Sequence, residues 1–426
     1  MIVATIIFLV TLVVIFSDRI PRAIAAIVGA VLMVGVGTFA GFYSEEQAIE
    51  AIDFHTVGLL LGMMTLVALL QPTGFFEYVA ISVGRLSRGS PVRLLILLGT
   101  ITTVLSMFLD NVTTVVLIAP VAILISEILG VSAVPLLLAL ALLSDTGGAG
   151  TLIGDPPNVL IGSAANLSFN DFLVNALPVV VVAWVVVLGL LLFLFRTELR
   201  QPPTRADALQ KLDPAKALDD PATARKVIIV LAGTILLFFF QELLQISPSF
   251  IALAGAGVAL LWVQPNTQEL FERIEWNVLI FFMALFVVVG GLESAGVLDR
   301  LAEALTGAGN LSPVLLGIIF IWVVAVLSAI VDNIPVTIML IPVIHQLGAA
   351  GINTTPLWWA LVFGAGFGGN GTIIGSSANI VVASLSERTR TPITSAMWTR
   401  RGLPAMVAAC VVATIMYVVM FPFYNK

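Results

Sequence analysis

Phe108-Leu109-Asp110-Asn111-Val112-Thr113-Thr114 decides how this chain is read. It sits inside the apolar run 93–126. The Asp-Asn pair recurs 222 residues later (332 minus 110), in Val331-Asp332-Asn333-Ile334-Pro335-Val336-Thr337, inside the apolar run 313–346. A carboxylate at membrane depth is costly and marks function by default. Each run holds 34 residues and as one helix would reach about 51 Å, against a hydrocarbon core of about 30 Å. Each is therefore predicted to fold back as a hairpin, as two spans or as a re-entrant loop, with Asp-Asn at the tip.

Composition supports a lipid solvent. Of 426 residues, 59% are hydrophobic and 10% charged, against about 25% charged in soluble domains. No basic patch is interleaved with aromatics, which argues against nucleic acid. The single cysteine, Cys410, excludes a disulfide framework or a thiolate site within the chain. Two histidines, His55 and His345, do not make a zinc site, and no metal or cofactor is expected. Residues 2–16 lack a basic leading region and a small-residue cleavage site, and read as a retained helix.

The fold class read from the sequence is an all-α polytopic membrane protein with about ten transmembrane helices, two hairpins and two broken helices. The crossings are 2–16, 23–40, 56–72, 132–165, 172–195, 227–245, 249–264, 276–292, 355–384 and 403–422. Segments 75–89 and 297–307 read as amphipathic helices on the membrane surface. Seventeen of the 19 basic residues fall on one face of this topology, which is predicted to be cytoplasmic, with both termini outside. The expected location is a bacterial-type inner membrane. The proline-bearing stretch 196–226 reads as a cytoplasmic linker between a first repeat, 1–195, and a second, 227–426. Each half has five crossings and a hairpin. Five is odd, so the halves enter the membrane with opposite orientation, the inverted plan of many secondary transporters.

The repeat holds at polar, Gly and Pro positions. Ile52-Asp53-Phe54 matches Ile274-Glu275-Trp276, Gly74 matches Gly296, Glu77 matches Asp299 and Pro120 matches Pro342. After one gap, Gly150-Thr151-Leu152-Ile153-Gly154-Asp155-Pro156-Pro157-Asn158 matches Gly371-Thr372-Ile373-Ile374-Gly375-Ser376-Ser377-Ala378-Asn379, with five of nine positions identical. Glycines at this density break a helix, and freed backbone in a bilayer must be buried in protein or line a cavity. Residues 147–158 and 368–379 are thus predicted to be unwound and to face an internal site. Asp155 and Ser376 read as N-caps of restarted half-helices, whose N–H groups and dipoles would hold an anion or a polyhydroxyl solute.

The expected substrate- or ion-binding residues are Asp110, Asn111, Thr113, Thr151, Asn158, Asp332, Asn333, Thr372 and Asn379, hard oxygen and amide groups suited to Na⁺, a proton or hydroxyl-bearing solutes. Asp110, Asp332, Asp145 and Asp155 are the proton-coupling candidates. Each has a plain alternative. The tip aspartates cap helices, Asn158 and Asn379 satisfy freed backbone, and Asp155 is an N-cap. Asp145 has no acidic counterpart, since Gly366 aligns with it.

At Asp110-Asn111-Val112-Thr113-Thr114, Gly150–Asn158, Asp332-Asn333-Ile334-Pro335-Val336-Thr337 and Gly371-Thr372-Ile373-Ile374-Gly375 the chain resembles the ion transporter superfamily, in the branch of arsenite permeases, the pigmentation-associated P protein and sodium–proton antiporters of the NhaD type. The resemblance implies opposed hairpins and broken helices around a central site, carried by a unit that moves against scaffold helices. Related dicarboxylate carriers have Ser-Asn-Thr at their tips; Asp-Asn here disfavours a dianion. Proton-coupled efflux of arsenite or antimonite as a neutral hydroxide is the first expectation. A Na⁺/H⁺ antiporter and an organic-anion carrier are the alternatives. Beside the small inorganic solute or ion (coupled to H⁺ or Na⁺) and the lipid bilayer, a homodimer and a cytoplasmic ATPase are expected as partners. A passive channel and an intramembrane aspartyl protease, with Asp110 and Asp155 as its dyad, are remote readings; the chain is not expected to be an enzyme.

Overall fold

The computed structural model describes residues 1–17, 19–204, 206–297 and 312–424. Among these, all regular structure is helical. The first half runs through α1 (Ile2–Ser17), α2 (Arg22–Ala40), α3 (Phe54–Leu70), α4 (Phe75–Leu86), α5 (Pro91–Ser106), α6 (Asn111–Leu129), α7 (Val134–Gly148), α8 (Pro156–Ala165) and α9 (Leu177–Leu194). The second has α10 (Pro221–Phe239), α11 (Pro248–Val263), α12 (Trp276–Ser294), α13 (Pro313–Ile330), α14 (Asn333–Ala349), α15 (Thr355–Gly368), α16 (Ser377–Ser386) and α17 (Ser395–Tyr424). Both long runs turn back at their Asp-Asn pairs, α5 into α6 and α13 into α14. Most of the surface helix proposed at 297–307 lies outside the described residues, as does Asp299.

Eight described helices are long and apolar enough to cross a membrane. Others fall short for geometric reasons. The 16 residues of α11 rise only about 24 Å, and α7 with α8 divide one crossing between 15 and 10 residues. Polarity is inverted relative to a soluble protein. Val31, Phe39, Val185, Leu236, Leu261 and Val419 are exposed, as a lipid-facing shell requires. Helices α7 and α15 lie at the centre: every residue of α7, and every residue of α15 from Pro356 on, is buried. A helix that is apolar all round belongs in a core.

Packing follows the repeat. Helix α7 lies on α5, and α15 lies on α13 in the same way. The halves also exchange contacts: α3 of the first packs on α11 of the second, while α12 of the second packs on α2 of the first.

Helix α4 turns Phe76, Ala80 and Gly84 inward. The stretch 196–226, expected as a linker, is fastened to this end of the first half. Thr204 N–H donates to Leu129 O at 2.9 Å, the Gln210 side chain to Arg85 O at 2.8 Å, and Asp220 N–H to Thr73 O at 3.3 Å. Leu209 is buried.

Candidate functional site

Each hairpin tip begins its second arm with the aspartate. Asp110 takes the N-cap position of α6 and accepts from Thr113 N–H at 2.9 Å and Thr113 Oγ1 at 3.1 Å. Asp332 caps α14 and accepts from Ile334 N–H at 3.2 Å. The capping role is therefore present at both tips. What separates them is their partners. Asp332 is ion-paired with Arg22 at the start of α2 and accepts from Ser377 Oγ at 2.8 Å. Asp110 faces Thr113, Arg273 and Glu275 around a cavity of about 30 Å³, room for one water. A cavity of the same size lies at the second tip, lined by Arg22, Asp332 and Ile374 among others.

The breaks run from Ala149 to Asp155 and from Gly369 to Ser376, narrower than expected, and the second retains two short 3₁₀ turns. Their glycines act through size. None within either break has a positive φ. A Cβ on Gly154 would lie 2.6 Å from Gly148 O and 2.7 Å from Ser106 O; on Gly375, 2.5 Å from Gly369 O and 2.9 Å from Ser328 O. They let backbone meet backbone, break against hairpin.

Asparagine and threonine close these contacts. Asn158 Nδ2 donates to Gly148 O at 3.0 Å and Thr151 O at 2.8 Å, and Asn379 Nδ2 to Gly369 O at 2.9 Å and Thr372 O at 3.0 Å. The amide N–H groups satisfy carbonyls that the break sets free. Thr151 and Thr372 donate to Met107 O and Ala329 O, tying each break to the hairpin of its own half.

Asp155 and Ser376 occupy the N-cap positions by backbone, near φ −146°, ψ 136° and φ −149°, ψ 142°, but neither side chain caps its helix. The reason at Asp155 is local. Pro156 and Pro157 have no N–H, and Asn158 N–H bonds to Asp155 O, so the carboxylate has no capping donor. The same prolines remove the N–H groups that were to cradle a solute at α8. Only α16 keeps them, at Ser377 and Ala378.

Both side chains reach across the repeat instead. Asp155 Oδ2 accepts from Asn333 Nδ2 at 3.0 Å. Asp145 Oδ1 accepts from Asn111 Nδ2 at 3.0 Å and from Ser376 Oγ at 2.9 Å. Asn370 Nδ2 donates to Thr146 Oγ1 at 3.1 Å, joining the ends of α7 and α15. Asp145 and Asp155 are almost fully buried, at 1% and 2% exposure. Three oxygens of this region, Asp145 Oδ2, Asn370 Oδ1 and Asn379 Oδ1, are buried with no hydrogen-bond partner. Among the described residues no three of His, Cys, Asp and Glu converge to hold a metal ion.

Sequence reasoning passed over Arg22, Glu275 and Asn370. Arg22 counted only as a charge on one face, and Glu275 only as a match to Asp53. Their roles depend on which half packs on which. Larger cavities, of about 400 and 480 Å³, lie away from these acids. The first is lined by His55, Gln241 and Ser249 among others, the second by Glu293 and His345 among others.

Comparison with known proteins agrees with the architecture. The family model described as "Citrate transporter" matches residues 12–364. A "46 kDa membrane protein" of Mycobacterium leprae is 38% identical over 97% of both chains. An uncharacterized transporter of Mycobacterium tuberculosis is 39% identical, also over 97% of both. The human P protein is 30% identical, over 93% of this chain and 57% of its own length. The crystal structure of the YdaH transporter of Alcanivorax borkumensis shares the fold, with a TM-score of 0.53 at 20% identity, over 87% of this chain and 88% of that one. The chain is a membrane transporter and belongs to the citrate transporter family within the ion transporter superfamily.

Proposed function

We propose that this transporter is a secondary carrier whose central site takes a cargo that donates hydrogen bonds or carries positive charge, in exchange for protons. The observation that carries this reading is the set of unpartnered buried oxygens, Asp145 Oδ2, Asn370 Oδ1 and Asn379 Oδ1. A buried acceptor left without a partner costs about 1–3 kcal/mol. A cargo that supplies protons or a cation recovers that cost; a carboxylate cargo, which only accepts, does not. Arsenite or antimonite as the neutral trihydroxide fits, because it brings three hydroxyl donors. Asp145 and Asp155, joined to Ser376 and Asn333 of the other half, are the coupling groups of this reading, with Asp110 and Asp332 at the tips.

A Na⁺/H⁺ antiporter is the second reading, favoured by the same oxygens as hard ligands. Citrate, the substrate in the family's description, is disfavoured at this site. Asp110, Asp145, Asp155 and Asp332 lie near enough to interact through space, and Arg22 is already ion-paired with Asp332. The concentration of basic residues on one face supports a cytoplasmic face there and both termini outside.

Purified protein in liposomes with an imposed pH gradient tests the reading. Gradient dissipation on adding arsenite or antimonite, absent in D145N, is the expected result. Dissipation with sodium alone selects the second reading, and dissipation with citrate alone refutes both.

A further inference from the structure

Thr113 Oγ1 lies between two carboxyls that belong to different halves. It is 3.1 Å from Asp110 Oδ2 on its own hairpin and 3.4 Å from Glu275 Oε1 at the start of α12. A hydroxyl has one proton to give, and an ionised carboxylate only accepts. With both acids ionised, the Thr113 proton serves one of them, and the other contact brings lone pair against lone pair. One acid proton resolves the conflict: Glu275 O–H donates to Thr113 Oγ1, and Thr113 O–H donates to Asp110 Oδ2. The 3.4 Å contact is longer than an ordinary hydroxyl hydrogen bond, a loose arm that a proton would shorten. Asp110 and Glu275 are both half-buried, and both line the water-sized cavity at the tip.

We infer that Asp110, Thr113 and Glu275 form a proton-binding site that spans the hairpin and α12, with Glu275 as its second carboxyl. Thr113 is the relay between them. Its hydroxyl proton passes to Asp110 as it takes the proton of Glu275, so Glu–COOH and Asp–COO⁻ become Glu–COO⁻ and Asp–COOH with the hydroxyl restored. The site exists only while the hairpin tip lies against α12. Withdrawing the tip leaves Asp110 carrying the proton and Glu275 without it. That is how a proton can be assigned to one conformation.

The second tip differs in kind. The residue matching Glu275 is Asp53, which caps α3 through His55 N–H at 2.9 Å and Thr56 N–H at 3.2 Å. Asp332 has Arg22 in place of a second acid. The proton site is therefore single although the sequence is repeated. The other charged groups around it are Arg273, which lines the same cavity, Asp332, which acts on Asp110 through space, and Asp145 and Asp155, on which Asp110 acts in turn.

The inference rests on the proton-coupled reading above, and its test separates the two. E275Q keeps the size of the side chain and an N–H to offer Thr113, but carries no acid proton. In liposomes, solute-driven proton flux should fall at least about ten-fold at neutral pH. One pH unit in the flux profile corresponds to the same factor. Counterflow of the same solute, which needs no net proton, should persist. Wild-type flux with an unaltered pH profile in E275Q would overturn the site. If the wild-type protein moves no protons with arsenite, antimonite or sodium, the coupling reading fails on its own, and infrared spectroscopy still decides the site. The wild-type spectrum at neutral pH should contain a carboxylic-acid C=O band that disappears in E275Q or D110N and shifts in T113V. Spectra of all three variants that keep the wild-type carboxylic band unchanged would refute the shared proton.

Discussion

A methyl group added to Gly154 should damage this transporter through sterics alone. Gly154 has no positive φ, so alanine meets no backbone penalty there. Its Cβ would stand 2.6 Å from Gly148 O and 2.7 Å from Ser106 O. Carbon and oxygen tolerate no less than about 3.0 Å, so those carbonyls must retreat by about 0.4 Å and 0.3 Å (3.0 minus 2.6, and 3.0 minus 2.7). Both are main-chain atoms in a close-packed centre, and neither has a rotamer to change. Overpacking of this kind costs about 1–3 kcal/mol. The displacement falls on the seam closed by the Thr151 bond to Met107 O, so transport should fall more than stability. G375A repeats the experiment in the second half, at 2.5 Å and 2.9 Å. G189A is the control, since nothing lies within 4 Å of a Cβ there. Unfolding midpoints in detergent and transport rates in liposomes would be compared for the three. G154A and G375A indistinguishable from G189A would refute the close-approach account of these glycines.

Three further outcomes follow from the site. N158A removes two donors from freed carbonyls, which should cost about 2–4 kcal/mol in detergent unfolding. In a double-mutant cycle, R22M and D332N should each destabilise, with about 3 kcal/mol as the scale for a broken buried pair; the double variant should lose less than the sum. D220A should cost about 1 kcal/mol as a lost N-cap of α10. The Thr223 hydroxyl and N–H hold the exposed Asp220 carboxyl below its ordinary range. A depressed carboxyl stabilises above its unfolded value and loses that stabilisation as pH falls through the folded one. The D220A deficit should therefore vanish in acid, which unfolding midpoints measured from neutral to low pH would check.

Hydrophobic run length and the Asp-Asn repeat made the helices and both turn-backs legible, because a bilayer forces either a full span or a return. Glycine, threonine and asparagine in register marked the breaks. The contacts between halves were not legible. An internal repeat says which residues are equivalent, while Arg22 against Asp332, Asn333 against Asp155 and Ser376 against Asp145 join residues that are not. Asp155 misled for a local reason: its two prolines, visible in the sequence, remove the first two donors, and the third, Asn158 N–H, is taken by Asp155 O. The glycine runs marked where the helices break, while the close backbone approach that their missing side chains allow depends on packing and was not legible.

The reciprocal seating of α3 on α11 and of α12 on α2 bears on biosynthesis. When residues 1–195 have left the ribosome, α2 and α3 are both without the surfaces that will cover them, and the chain must lengthen to α11 and α12 before either is covered. Closing such distant contacts late is entropically slow. The early helices therefore have to wait in lipid as separate insertions, which their apolar outer faces permit. A chain stopped at residue 226 should be held by insertion machinery or degraded, and the two segments supplied as separate polypeptides should accumulate only together.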